Sequence, residues 1–240
     1  YSGVLDYAAN WMMIFQLIMD FGFMISATGK VSRHREDSHA LSGILTRVIL
    51  AKLGLIGVTA VVMGGLIAIG FITIGSATEL LTYWFYLLST ALMTLLPDFF
   101  FRGIEKMSVM MVRAVSVKLL TTILIFTFVK NPTDYYMIPL FTILGNTVAI
   151  FLVYHYLFVK IKIRFTRVSI KDVLLELKDS SQFFLSRIAS TVYGSINAII
   201  LEKLVDPTKV ISGYYKKAEY VTNAAKNGVV SPIADSIYPY

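Results

Sequence analysis

Two stretches near the C-terminal end of the chain set polar side chains at helical spacing. Ser186, Ser190, Tyr193 and Asn197 follow i, i+4, i+7, i+11, with Arg187 and Thr191 beside them. Lys216, Tyr220, Asn223 and Asn227 repeat the same spacing, and Lys217, Glu219 and Lys226 widen that second stripe. On an α-helix such positions share one face. Ammonium groups attract phosphate-like charge, while Asn and Tyr hydrogen-bond neutral polar groups. The chemistry on offer is binding of an anionic ligand that also carries polar groups. Lys118 adds an isolated cation inside an apolar run, and Asp20 and Glu219 are carboxylates in similar surroundings. Cysteine is absent, and His34, His39 and His155 are too scattered for a metal cluster. His155, between Tyr154 and Tyr156, reads as part of an interfacial aromatic belt rather than as a base.

The surroundings of these groups decide what they mean. Of the 240 residues 56% are hydrophobic and only 15% are charged, against about 25% charged in soluble domains. Mean hydropathy is +0.70. Leu53 to Thr78, Leu80 to Pro97 and Tyr135 to Val159 contain no Asp, Glu, Lys or Arg. A helical membrane span needs roughly 20 apolar residues, so these runs fit a bilayer. The chain reads as an all-α, polytopic membrane bundle, which excludes a soluble enzyme, a disordered chain and a nucleic-acid-binding module.

Seven spans follow from the runs: 4–26, 41–74, 80–101, 109–129, 136–159, 182–204 and 213–237. Loops after the odd-numbered spans carry Lys30, Arg33, Arg35, Arg102, Lys106, Lys160, Lys162, Arg164, Arg167, Lys171 and Lys178. Loops after the even-numbered spans carry only Lys130, Lys203 and Lys209. The Lys/Arg excess marks the cytoplasmic side. Gly29 to Asp37 is expected to be a polar loop, and residues 168–177 a short amphipathic helix lying on the membrane face. Ala60, Gly64 and Ala68 form a small-residue stripe expected to pack against a neighbouring helix. With no starting Met and an abrupt end, the sequence is expected to be an internal piece of a longer chain.

Ionisable groups at membrane depth face a polar interior or reach the interface. Lys52, Arg113 and Arg187 lie near the cytoplasmic side and can snorkel. Lys118 lies about 15 Å into its span at 1.5 Å per residue, too deep for that, and needs a partner or water. The two polar stripes are either buried against other helices or line a water-filled, net positive cavity. The expected cavity set is Arg187, Asn197, Lys216, Lys217, Tyr220, Lys226 and Lys118. Ser2-Gly3 and Ser212-Gly213, followed by Ala8 and Ala218 at the same offset, suggest duplicated halves, which transporters use to frame a site.

Three segments carry a resemblance. Asp20-Phe21-Gly22-Phe23 with Ser26-Ala27-Thr28 is the first, and Pro97-Asp98-Phe99-Phe100-Phe101-Arg102-Gly103-Ile104-Glu105-Lys106-Met107 the second. Gly213-Tyr214-Tyr215 with Ala218-Glu219, Ser231-Pro232-Ile233 and Tyr238-Pro239-Tyr240 is the third. In this order and spacing they resemble the bacterial polysaccharide flippases, the O-antigen and capsule translocases of the multidrug/oligosaccharidyl-lipid/polysaccharide exporter superfamily. Arg102, Phe99 and Gly29 stand where that pattern often has Gln, Trp and Arg.

The resemblance implies two pseudo-repeated lobes around a central cavity, truncated here at both ends. Residues 1–159 would form an N-terminal lobe of second to sixth helices. Residues 160–180 would be a cytoplasmic amphipathic linker, and 181–240 the start of the C-terminal lobe with its seventh and eighth helices. It implies movement of an isoprenoid-diphosphate-linked oligosaccharide from the cytoplasmic to the periplasmic leaflet of the inner membrane, without bond chemistry. Coupling to H+ or Na+ would pass through Asp20 or Glu219, with no other cofactor. Partners would be the lipid-linked oligosaccharide, membrane lipids and other glycan-assembly membrane proteins, and no nucleic acid. Competing expectations are a peptidoglycan-precursor or teichoic-acid flippase, a cationic-drug antiporter, a membrane polymerase or acyltransferase, and a non-transporting scaffold.

Overall fold

The structure, a computed structural model, describes residues 2–200 except 73, 132, 133 and 135, together with 218, 221 and 222; side chains are described from residue 8 to 188 and at those last three positions. The chain divides into two compact units, Tyr1–Leu185 and Ser186–Tyr240. Every regular element among the described residues is helical. In order they are α1 (Ser2–Asp20), α2 (Phe23–Arg33), α3 (Ser38–Ala68), α4 (Ala77–Thr94), α5 (Asp98–Gly103), α6 (Met107–Phe128), α7 (Met137–Tyr156) and α8 (Ile170–Ile200). A π-helical turn, Leu157–Ile161, ends α7.

Among the described residues, five helical stretches are long and apolar enough to cross a membrane: Ala8–Arg33, Ser38–Ala68, Ala77–Gly103, Met107–Phe128 and Met137–Ile161. They lie where the first five apolar runs predict them, with two of the five built from helix pairs. α1 and α2 meet at Phe21 and Gly22, whose φ values of 39° and 76° interrupt the helix without ending the span. A Cβ on Gly22 would also stand 2.8 Å from the Phe184 backbone nitrogen, so both conformation and contact require glycine. The second pair, α4 and α5, is separated by Pro97, which has no backbone N–H to continue the ladder.

Three expectations change. Gly29 to Arg33 is helical, not loop, because α2 continues until His34 and the turn shrinks to the residues before Ser38. Asp37 then caps α3, its Oδ1 accepting from the backbone N–H groups of His39 (2.9 Å) and Ala40 (3.0 Å). The amphipathic segment and the following apolar run are one helix, α8, rather than a surface helix and a separate span. Finally, of the small-residue stripe in α3, Ala60 packs into the core, but a Cβ on Gly64 would meet nothing within 4 Å. Close packing falls elsewhere. At Gly103 a Cβ would lie 2.5 Å from Val31 Cγ1, which brings α5 onto α2.

The apolar interior forms two clusters. One joins Phe23, Ala27 and Val31 of α2 to Leu45 and Val48 of α3, Phe99, Phe100 and Phe101 of α5, and Leu157 and Ile163. The other joins Met12, Phe15 and Met19 of α1 to Met63 of α3 and Tyr83 and Leu87 of α4. Van der Waals packing of this kind, rather than exclusion of water, holds helices together in lipid. α6 packs Val109, Met110 and Val117 against the first cluster without adding a fully buried member to it; Thr121 is the buried residue of that helix. In the second unit, residues 186–200, 218, 221 and 222 are helical.

Candidate functional site

The break at Pro97 leaves carbonyls at the end of α4 without their next-turn donors. Other helices supply them. Lys52 Nζ of α3 donates to the Thr94 carbonyl (2.6 Å), and the Tyr154 hydroxyl of α7 donates to the Leu95 carbonyl (2.9 Å). One helical turn earlier, the Asn146 side-chain amide donates to the Ser89 carbonyl (3.0 Å). An unsatisfied backbone group in the hydrocarbon region costs several kcal/mol, so these bonds set the identity of Lys52 and Tyr154.

The same joint gathers charge. Lys52 Nζ lies 3.7 Å from Asp20 Oδ1 of α1 and 5.6 Å from the centre of the Phe99 ring, with a side chain only 6% exposed. Asp98, the first residue of α5, also acts on Lys52 through its field, and accepts from Arg113 Nη2 of α6 at 3.0 Å. Asp20, Lys52, Asp98 and Arg113 thus alternate in sign across four helices. The snorkelling reading of Lys52 and Arg113 is overturned, because both are covered by protein and held by carboxylates. Arg113 is incompletely satisfied among the described residues: its Nε and Nη1 are buried without a hydrogen-bond partner there. Each such group costs about 1–3 kcal/mol, and more when charged.

A second polar set fastens the first half of α8 to α2 and α3. Glu176, 2% exposed, accepts from Lys30 Nζ (2.8 Å) and Arg47 Nε (3.4 Å). Lys30 also meets Asp179 at 2.8 Å, and the Ser26 and Ser180 hydroxyls are 2.7 Å apart. Phe21 stacks on Phe184 with ring centres 4.3 Å apart. Upstream of α8, the Arg164 and Thr166 backbone N–H groups donate to Ser42 Oγ (3.3 Å) and Thr46 Oγ1 (3.1 Å) of α3. The amphipathic start of α8 therefore leans on protein through a charged clasp, with Val173 and Leu177 against the first core cluster.

Of the residues expected to line a cationic cavity, Lys118 and Arg187 are described. Lys118 is exposed on α6, with no ion pair among the described residues. It follows Arg113 by five residues, about 140° round the helix, so it faces away from α7. Arg187 is half-buried in the second unit. The Asn197 side chain, Lys216, Lys217, Glu219, Tyr220 and Lys226 lie outside the described residues. Asp20, expected as a coupling carboxylate, is the partner of Lys52. The sequence reading missed Asp98 and Glu176 as charge partners, because the sequence does not say which helices are neighbours.

Residues 2–240 match the protein family described as Polysaccharide biosynthesis protein. The chain belongs to this family. Among curated members of similar sequence is a protein of Shigella dysenteriae described as an O-antigen transporter, 25% identical over 239 residues, which cover 95% of this chain and 56% of the relative. A protein of Escherichia coli (strain K12), described in the same words, is 23% identical over 237 residues, covering 99% of this chain and 56% of its own length. The chain thus spans 56% of the length of these curated relatives. No solved structure gives a significant match. This polysaccharide-biosynthesis family protein is an all-α, multi-pass membrane protein, consistent with the bacterial inner membrane.

Proposed function

We propose that this chain is part of a flippase that carries an isoprenoid-diphosphate-linked oligosaccharide, of the O-antigen or capsule repeat-unit kind, from the cytoplasmic to the periplasmic leaflet. The observation that carries the reading is the family match over nearly the whole chain, with relatives described as O-antigen transporters. The chain would supply the second to eighth of about twelve helices of a two-lobed exporter fold, and the lobes would rock around a central site. This is transport rather than enzymatic chemistry. Lys118 supports the reading on physical grounds: a lysine at membrane depth, turned away from its neighbouring helix, is costly unless it meets water or an anion. In this proposal it joins Arg187, Asn197, Lys216, Lys217, Tyr220 and Lys226 around the diphosphate and sugars. Asp20 is a coupling carboxylate whose protonation, or occupation by sodium, would release Lys52; Glu219 is the other.

Complementation tests the proposal. The full-length gene restores surface glycan in a flippase-deficient strain, and Lys118→Ala and Lys226→Ala abolish export at normal protein level. Failure of the inserted full-length protein to restore export sinks the transport reading. Normal export by both variants sinks the cavity assignment alone. These 240 residues hold no cysteine, so with any cysteine elsewhere in the full-length protein replaced, Asn197→Cys and Lys226→Cys must react with polar reagents.

A further inference from the structure

A cleft of about 400 Å³ runs between α6 and α7. Its apolar walls include Val112, Leu120, Val148 and Leu152, and its polar lining is Ser108, Ser116, Tyr156 and Arg113. Val112, Val148 and Leu152 are exposed on its rim, so among the described residues the cleft opens sideways from the bundle. It occupies the half of the membrane where α6 begins and α7 ends, beside Arg102, Lys106, Lys160 and Lys162. By the positive-inside rule that is the cytoplasmic leaflet.

The walls suit a hydrocarbon chain, and one cation stands among them. Arg113 is held on one side by Asp98, yet its buried Nε and Nη1 have no hydrogen-bond partner among the described residues. A guanidinium offers five donors in a planar fork and pairs readily with phosphate oxygens. Small-molecule pockets run from about 300 to 1,000 Å³ and are mostly apolar with a few placed polar groups, which describes this cleft. Its polar content is enough for one phosphate and too little for an oligosaccharide.

We propose that the α6–α7 cleft is a binding site for an anionic phospholipid of the inner leaflet, its acyl chain between the helices and its phosphate on Arg113 with Ser108, Ser116 and Tyr156. The site is separate from the face of α6 that carries Lys118. The lipid fills the groove between two helices that otherwise meet along one side, and the Arg113 side chain turns toward the cleft for its buried Nε and Nη1 to meet the phosphate.

The test uses the full-length protein in lipid nanodiscs and a phosphatidylglycerol with a photoactivatable acyl chain. Labelling is expected on peptides of α6 and α7, with excess phosphatidylglycerol competing at least five-fold better than phosphatidylcholine. Val148→Trp, which fills the cleft without touching the ion pair, lowers labelling of those peptides at least five-fold while the protein elutes and melts as the parent does. Arg113→Gln removes the preference for phosphatidylglycerol. If that variant fails to fold, Ser116→Leu serves in its place and lowers labelling in the same direction. Equal competition by the two lipids, or unchanged labelling of the Val148→Trp protein, overturns the proposal. So does a photo-crosslinking amino acid at Val112 that joins to another segment of the same protein, because the cleft is then covered by polypeptide.

Discussion

Replacing Lys52 by Met keeps the length and apolar stem of the side chain and removes only the ammonium. Three groups lose a partner: the Thr94 carbonyl, the Asp20 carboxylate and, through space, Asp98. Removing one member of a buried charge pair costs about 3–5 kcal/mol, because the other member is left uncompensated. At roughly 2–4 °C per kcal/mol on the scale of soluble domains, that predicts a melting temperature lower by roughly 6 °C or more. The assay is thermal unfolding of the full-length protein in detergent, followed by aggregation or by tryptophan emission. A double variant, Lys52→Met with Asp20→Asn, discharges the stranded carboxylate and recovers part of the loss. Asp20→Asn alone costs less than Lys52→Met, since Lys52 keeps its bond to Thr94. A Lys52→Met protein that melts within 1 °C of the parent would refute the reasoning. It would mean that the ammonium reaches water and that the joint at Pro97 is mended by something else.

The contact between the Ser26 and Ser180 hydroxyls predicts that Ser26→Cys with Ser180→Cys forms a disulfide on mild oxidation, seen as a mobility shift; if transport requires α8 to leave α2, export stops and returns with reductant. Gly103→Ala forces a methyl to 2.5 Å from Val31 Cγ1 and 2.6 Å from Val31 Cβ, so it lowers thermal stability, and adding Val31→Ala does not restore it because that Cβ remains; no loss in the single variant would contradict the α2–α5 approach. The Asp37 carboxyl is held below the ordinary carboxylate range by the N–H groups of Ala40 and His39. A depressed value means its cap contributes above the unfolded-state pKa and fades as pH falls through the folded one. Asp37→Ala is therefore expected to lower stability at pH 7 and to make little difference in strong acid, checked by melting across pH.

The five spans were legible because run length alone reports them: a stretch without charge, as long as a bilayer is thick, has few alternatives. The interruptions were less so. Gly22 looks like any glycine in an apolar run until Phe183 and Phe184 are beside it, and that contact joins residues far apart in sequence. Lys178-Asp179-Ser180-Ser181 reads as a loop by composition. The helix persists through it because Glu176, Asp179 and Ser180 meet Lys30, Arg47 and Ser26. Lys52 and Arg113 were left able to reach the interface for a similar reason: depth along one helix is visible in a sequence, but the carboxylate on the neighbouring helix is not. The stripe at Lys216 to Lys226 was conspicuous by its polarity, whereas Asp98, the partner of Arg113, hides behind Pro97 as an ordinary helix-start residue.

The break in the third span has a mechanical consequence. Because the loose carbonyls of α4 are bonded by side chains of α3 and α7, sliding either helix away would bare a peptide oxygen to hydrocarbon. Two cross-helix bonds thus bolt these three helices together at the joint. A variant that removes either bond would loosen this joint before it touched any cargo.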